Sequence, residues 1–103
     1  MTRVCRTEQI PCEGTFCFNH NDRPHFLLRN HSGVFCYVNA CPHNRVRLDW
    51  TENNLLDAEK LFIQCASHGA LFEMDTGRCV FGPCQGQYLQ SVPCTIHEGW
   101  IEI

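Results

Sequence analysis

The chain has 103 residues, of which 44% are apolar and 18% charged, so we expect one globular domain rather than a disordered segment. A net charge of −3 argues against nucleic-acid binding, which usually requires a clustered basic surface. We find no apolar run long enough to cross a membrane and no charged-then-apolar N-terminal segment. We therefore expect a cytoplasmic protein without a membrane span or a secretory signal.

The first third of the chain favours short strands separated by turns. Residues 2–6 alternate weakly and predict a first strand, and a β-favouring run at 15–19 is followed by a polar turn over 19–24. Residues 25–29 and 34–38 are apolar, and Asn30-His31-Ser32-Gly33 between them predicts a hairpin. This part of the chain should form a small antiparallel meander.

The rest of the chain predicts further short strands and no amphipathic helix. Residues 61–64, 70–74 and 79–81 each read as a strand in the middle of the chain. Two later strands, at 88–92 and 94–97, should rejoin the first sheet before the chain ends in one at 100–103. The predicted fold class is therefore all-β.

Two short segments each offer one thiol and one imidazole. They are Cys41-Pro42-His43 and Cys65-Ala66-Ser67-His68-Gly69, with the patterns C-x-H and C-x-x-H. Two cysteines and two histidines are the ligands of a [2Fe–2S] cluster in which histidine replaces cysteine on one iron. The same set also suits zinc, which stays open as the alternative metal. A predicted strand precedes each segment and would hold it rigidly.

Residues 41–84 resemble the cluster-binding region of Rieske proteins. The run His68-Gly69-Ala70-Leu71-Phe72 is similar to the family's H-G-x-x-[FY] motif after the last ligand. Asp75-Thr76-Gly77-Arg78-Cys79 resembles its T-G hairpin, and Gly82-Pro83 resembles the proline loop that covers the cluster.

The resemblance implies an architecture for the whole chain. Residues 1–103 would form a single Rieske domain, a small antiparallel β-sandwich or barrel with an inserted cluster-binding subdomain of two ligand loops. The subdomain would span about 39–84, and the base sheet would be formed by 1–38 and 85–103.

The resemblance also implies the ligands of one [2Fe–2S] cluster per chain. Cys41 and Cys65 would bind the inner iron, and His43 and His68 would bind the outer, solvent-facing iron. The sequence differs from high-potential respiratory Rieske proteins at several positions. Val46 and Ser67 replace the two cysteines that pair in those proteins.

Two further differences bear on the reduction potential. Ala70 and Phe72 replace a serine and a tyrosine whose hydroxyls lie near the cluster sulfurs in the respiratory proteins. Hydrogen bonds to the sulfurs raise the potential. Their absence predicts the low end of the Rieske range, about −150 mV, as in the ferredoxin-type branch.

The function implied by this resemblance is one-electron transfer, without catalysis by the chain itself. The carrier, expected to be a monomer, would take electrons from a reductase and pass them to an oxygenase or another acceptor, with no nucleic-acid or membrane partner. One alternative is a small Rieske-like subunit of a reductase, of the nitrite-reductase small-subunit type. Another is a redox-sensing interaction module.

Nine cysteines in a short chain also suggest a secreted disulfide scaffold. Their odd number, the expected absence of a signal peptide and their place in apolar segments favour thiols that act as small hydrophobes in a reducing compartment. Cys79 and Cys84 are close enough in sequence to be the favoured pair if a disulfide forms. Those outside the predicted ligand set are Cys5, Cys12, Cys17, Cys36, Cys79, Cys84 and Cys94.

Overall fold

The computed structural model describes residues 2–40, 42, 55–57, 59–65 and 69–103. Their regular structure consists of short strands and one 3₁₀ turn at Thr7–Gln9, and every strand pairing is antiparallel. The strands are β1 (Arg3–Arg6), β2 (Gly14–His20), β3 (Arg23–Asn30), β4 (Gly33–Val38), β5 (Ile63–Gln64), β6 (Leu71–Phe72), β7 (Cys79–Phe81), β8 (Ser91–Val92), β9 (Thr95–His97) and β10 (Trp100–Glu102). The all-β prediction is confirmed. No helix in these ranges is long and apolar enough to cross a membrane.

The strands form three sheets, with orders β1-β10-β9, β2-β3-β4-β8 and β5-β6-β7. The prediction of one first sheet that residues 94–97 rejoin is wrong, because β1 lies in a different sheet from β2, β3 and β4, and β9 joins that sheet of β1 through β10. Only β8 joins β4. Pro93 follows β8 and has no N–H to continue the ladder, so the chain leaves one sheet here and enters another.

The hairpin between β2 and β3 is tighter than its polar sequence suggests. The predicted turn over 19–24 is wrong in extent, because His20 pairs with Arg23 and only Asn21 and Asp22 lie between the strands. These two residues have φ values of 52° and 62°. Positive φ at both central positions matches the right-handed twist of the flanking strands, which explains the two-residue turn. The predicted hairpin over Asn30–Gly33 is confirmed.

The β2-β3-β4-β8 sheet is covered on both faces. Residues 25–28 of β3 are buried one after another, although successive side chains in a strand point to opposite faces. Phe26 and Leu28 belong to a core shared with the β5-β6-β7 sheet, whereas Leu27 packs in a core with Cys5 of β1 and Ile101 of β10. The molecule is thus a three-layer stack with the longest strands in the middle.

The middle sheet is joined to the β5-β6-β7 sheet through the turn after β6. The buried hydroxyl of Tyr37 donates a hydrogen bond of 2.8 Å to the carbonyl oxygen of Met74. The amide of Leu89 donates to the carbonyl of Gly77 at 2.9 Å. A Cβ on Gly77, whose φ is +76°, would lie 2.9 Å from Cε1 of Tyr37. This close packing fixes the β5-β6-β7 sheet on its support.

Candidate metal centre

The second ligand segment lies at the tip of the β5–β6 hairpin. Ile63 pairs with Phe72 and Gln64 with Leu71, so the chain leaves and re-enters the sheet on either side of residues 65–70. Because both strand ends are held in register, the segment between them starts and ends at fixed points. A strand therefore precedes the second ligand segment, as the sequence predicted.

Cys65 is the predicted ligand that the described residues contain. Its side chain is 0% exposed. Its backbone N–H donates to the carbonyl of Ala70 at 2.9 Å, and its carbonyl accepts from the N–H of Gly69 at 2.8 Å. Gly69 has φ +69°, a left-handed conformation that glycine adopts without strain. These bonds close a tight loop that begins with a buried thiol.

The first ligand segment follows β4. Asn39, which is 1% exposed, donates from its backbone N–H to the carbonyl of Pro24 at 2.9 Å, and Ala40 donates to the carbonyl of Val38. Backbone hydrogen bonds therefore continue past the end of β4 to Ala40, the residue before Cys41. Three predicted ligands, Cys41, His43 and His68, lie outside the described residues, as do Val46 and Ser67.

The Gly82-Pro83 segment packs against the chain just after the second ligand segment. A Cβ on Gly82 would lie 2.8 Å from Cα and 2.9 Å from Cβ of Ala70, and the φ of Gly82 is +110°. Only glycine permits this approach. Ala70 is two residues after His68, so the segment lies beside the predicted site. The sequence marks Gly82 through its motif, but the contact with Ala70 has no local sequence signal.

The cysteines outside the predicted ligand set are mostly packing residues. No disulfide links two of the described cysteines, and four of the remaining seven are buried. The favoured pair, Cys79 and Cys84, has its sulfurs 3.0 Å apart in a hydrogen bond rather than a disulfide, whose S–S bond is about 2.05 Å. The four buried residues are Cys5, Cys36, Cys79 and Cys84.

The donors available in this chain fit a histidine-ligated iron–sulfur cluster. Cys65 supplies a buried thiol at the tip of the β5–β6 hairpin. The remaining predicted donors add one thiol and two imidazoles, which completes the two-cysteine, two-histidine set. Zinc would accept the same four donor types, so donor chemistry alone does not distinguish the metals.

Comparison with known proteins identifies the family model that fits this chain. The model of the Rieske [2Fe–2S] domain matches residues 1–98. No curated protein matches the sequence.

Solved structures share the fold. The ferredoxin of carbazole 1,9a-dioxygenase from Nocardioides aromaticivorans IC177 is 22% identical, with a TM-score of 0.75 over 98% of this chain and 95% of that one. A ferredoxin from Sphingomonas yanoikuyae B1 is 24% identical, with a TM-score of 0.74 over 97% of this chain and 93% of that one. The terminal oxygenase of carbazole 1,9a-dioxygenase from Novosphingobium sp. KA1 is 18% identical, with a TM-score of 0.80 over 97% of this chain but 28% of that one.

Proposed function

The chain belongs to the Rieske [2Fe–2S] domain family, and from that premise we propose that it carries single electrons from a reductase to an oxygenase. Membership of this family implies one [2Fe–2S] cluster per chain. The family match over residues 1–98 is the observation that carries the proposal.

We assign the cluster to the four predicted ligands. Cys41 and Cys65 would hold one iron, and His43 and His68 would hold the other, within a cluster-binding subdomain of residues 39–84. The buried thiol of Cys65 and the hydrogen-bonded loop that it opens support this assignment. When bound, the cluster would supply reversible uptake of one electron.

The protein's part in electron transfer is to hold the ligands in nearly the same positions in both redox states. The β5–β6 pairing and the loop bonds of Cys65 limit movement of that ligand. Gly82 packs on Ala70 and supports the chain where it leaves the loop. The two imidazoles, on the outer iron by resemblance, would face the partner and give the electron its exit.

The side chains after the second ligand segment support a low reduction potential. Ala70 and Phe72 are both fully buried, and neither carries a hydroxyl that can donate to a sulfur. A cluster sulfur that accepts fewer hydrogen bonds stabilises the added electron less. We therefore place the protein in the ferredoxin-type branch, with a potential of about −150 mV.

Two ferredoxins match this chain over nearly the whole of both sequences, whereas the oxygenase matches through 28% of its own length. This correspondence supports a carrier rather than an enzyme. We propose a monomer that acts in the cytoplasm, where reducing conditions keep buried thiols such as Cys5 and Cys36 unpaired. A similar solved structure is a complex of oxygenase and ferredoxin in carbazole 1,9a-dioxygenase, which suggests an oxygenase as the class of acceptor.

Electron paramagnetic resonance of anaerobic, dithionite-reduced protein tests the cluster, with iron, sulfide and zinc assayed on the same sample. We expect two irons and two sulfides per chain and a rhombic signal with the low average g value of histidine-ligated clusters. Cys65→Ser should abolish the signal, whereas Cys36→Ser, at a similarly buried thiol in β4, should retain it. Zinc in place of iron would refute the assignment.

The histidine ligands have their own matched pair of variants. His68→Ala should lose the signal, and His31→Ala, in the exposed turn between β3 and β4, should keep it. Equal iron content and equal spectra in the two variants would show that His68 is not a ligand. The same comparison with His43→Ala tests the other imidazole.

Anaerobic stopped-flow mixing tests the direction of electron flow. We expect a flavin-dependent ferredoxin reductase with NADH to reduce the cluster in one-electron steps, and an aromatic-ring oxygenase to reoxidise it. A Cys65→Ser sample controls for direct transfer between the two enzymes. A cluster that neither protein reduces nor oxidises, together with stable co-purification of a large flavin or haem subunit, would refute the carrier and favour the reductase subunit.

A further inference from the structure

A second sulfur pair lies in the segment that follows the candidate metal centre. The thiol of Cys84 donates a hydrogen bond to the sulfur of Cys79 across 3.0 Å, and the thiol of Cys79 donates to the carbonyl oxygen of Phe81 at 3.2 Å. Both cysteine side chains are 0% exposed. A disulfide requires the sulfurs to approach by about a further 1 Å, since its S–S bond is about 2.05 Å.

The backbone around the pair is held in place by hydrogen bonds on both sides. Gly86 donates to the carbonyl of Cys79 at 3.0 Å, and Cys79 donates to the carbonyl of Gln87 at 2.7 Å. Gln87 in turn donates to the carbonyl of Cys84 at 2.9 Å. These bonds keep the two cysteines opposite each other, so most of the ordering cost of forming a disulfide is already met in the dithiol state.

The same segment offers a route for a reagent to reach the buried sulfurs. Cys84 is the one buried residue between exposed neighbours at Pro83 and at 85–87. Opening of residues 83–87 would break the hydrogen bonds of Gly86 and Gln87 and expose the Cys84 thiol, and exposed segments open at lower free energy than core strands. Burial therefore shields the two thiols from reagents in the closed state, while local opening still gives access to Cys84.

We propose that Cys79 and Cys84 form a reversible dithiol–disulfide site, separate from the predicted cluster ligands, that is oxidised by a low-molecular-weight disulfide such as oxidised glutathione. The Cys84 thiolate attacks one sulfur of the glutathione disulfide and releases one glutathione thiolate. The Cys79 thiolate then displaces the second glutathione from the mixed disulfide. The two thiols lose two electrons and two protons, and one glutathione disulfide becomes two glutathione thiols.

Oxidation would act on the segment that packs against the candidate centre. The sulfur–sulfur hydrogen bond would become a covalent bond that encloses Gly82-Pro83, and Gly82 already contacts Ala70. The disulfide would oppose the opening of residues 83–87. Backbone amides at Gly86 and Gln87 should therefore exchange hydrogen more slowly in the oxidised protein than in the reduced protein.

The experiment equilibrates anaerobic holoprotein in glutathione buffers of graded composition. Samples are quenched in acid, alkylated in denaturant and digested with chymotrypsin, which cleaves after Phe81 between the two cysteines. Mass spectrometry should detect linked peptides containing Cys79 and Cys84. Their ratio to the alkylated forms should change tenfold for each tenfold change in the ratio of oxidised to squared reduced glutathione.

Variants identify the pair. Cys84→Ser should abolish the link, and Cys94→Ser, at a half-buried thiol beyond β8, should leave the titration unchanged. Cys12 is exposed and serves as the internal control, because its mixed disulfide with glutathione shows that the oxidant has reacted with the protein. Wild-type protein in which Cys12 is modified while Cys79 and Cys84 stay unlinked would overturn the proposal, whether or not Cys84→Ser folds. Linkage of either cysteine to a third one would also overturn it.

Discussion

Replacing Tyr37 by phenylalanine should weaken the junction between the middle sheet and the β5-β6-β7 sheet. The substitution keeps the ring, which is 2% exposed and packs against Gly77, and removes only the hydroxyl. The carbonyl of Met74 then loses a buried donor at 2.8 Å. A lost bond of this kind costs about 1–3 kcal/mol, because the acceptor stays buried without that partner.

This free energy corresponds to a measurable change in thermal stability. For a domain of this size, 1 kcal/mol lowers the Tm by about 4–8 °C, so we expect Tyr37→Phe to unfold at least about 4 °C below wild type. Circular dichroism of anaerobic holoprotein at one scan rate gives the comparison. Tyr88→Phe, whose side chain is 58% exposed, is the matched control and should leave the Tm unchanged. Equal Tm values for both variants would refute the role given to the hydroxyl.

Three further predictions concern the turn, the buried thiols and the potential. Gly77→Ala should destabilise the protein by about 1–3 kcal/mol more than Gly86→Ala, as measured by thermal unfolding. Both glycines have positive φ, but only a Cβ at position 77 would press against Tyr37. Equal losses of stability in the two variants would contradict this contact. Burial raises the pKa of Cys36 from its ordinary value of 9.0 to about 12. Below pH 9 the Cys36 thiol is protonated in both the folded and the unfolded protein. Between pH 9 and about pH 12 only the unfolded protein releases this proton, so the free energy of unfolding falls by about 1.4 kcal/mol per pH unit for this site. Cys36→Ala should therefore show a shallower alkaline loss of Tm than wild type, and identical slopes would argue against a buried neutral thiol. Phe72→Tyr adds a hydroxyl that should donate a hydrogen bond of about 1–2 kcal/mol to a cluster sulfur. Voltammetry should then show a reduction potential about 40–90 mV higher than that of wild type. An unchanged potential would contradict the proposed reason for the low reduction potential.

Local pattern was enough to predict much of the secondary structure and the donor types. The two apolar runs on either side of Asn30-His31-Ser32-Gly33 predicted the β3–β4 hairpin correctly, because the turn and both strands lie within about fifteen residues. The error at residues 19–24 arose because polar composition cannot separate a two-residue turn from polar strand ends. The cysteine and histidine spacing predicts four ligands, of which the structure places Cys65 at a hairpin tip.

The sequence by itself determined the all-β class, the β3–β4 hairpin and the cysteine–histidine set, because each depends on neighbouring residues and, for the strands, on the alternation of their side chains. Only the tertiary structure decided that β9 joins β1 through β10 and that the middle sheet is buried on both faces. It also decided that Tyr37 contacts Met74 and that Gly82 packs on Ala70. These contacts join residues distant in the chain, and the packing of whole sheets, rather than any local preference, brings them together.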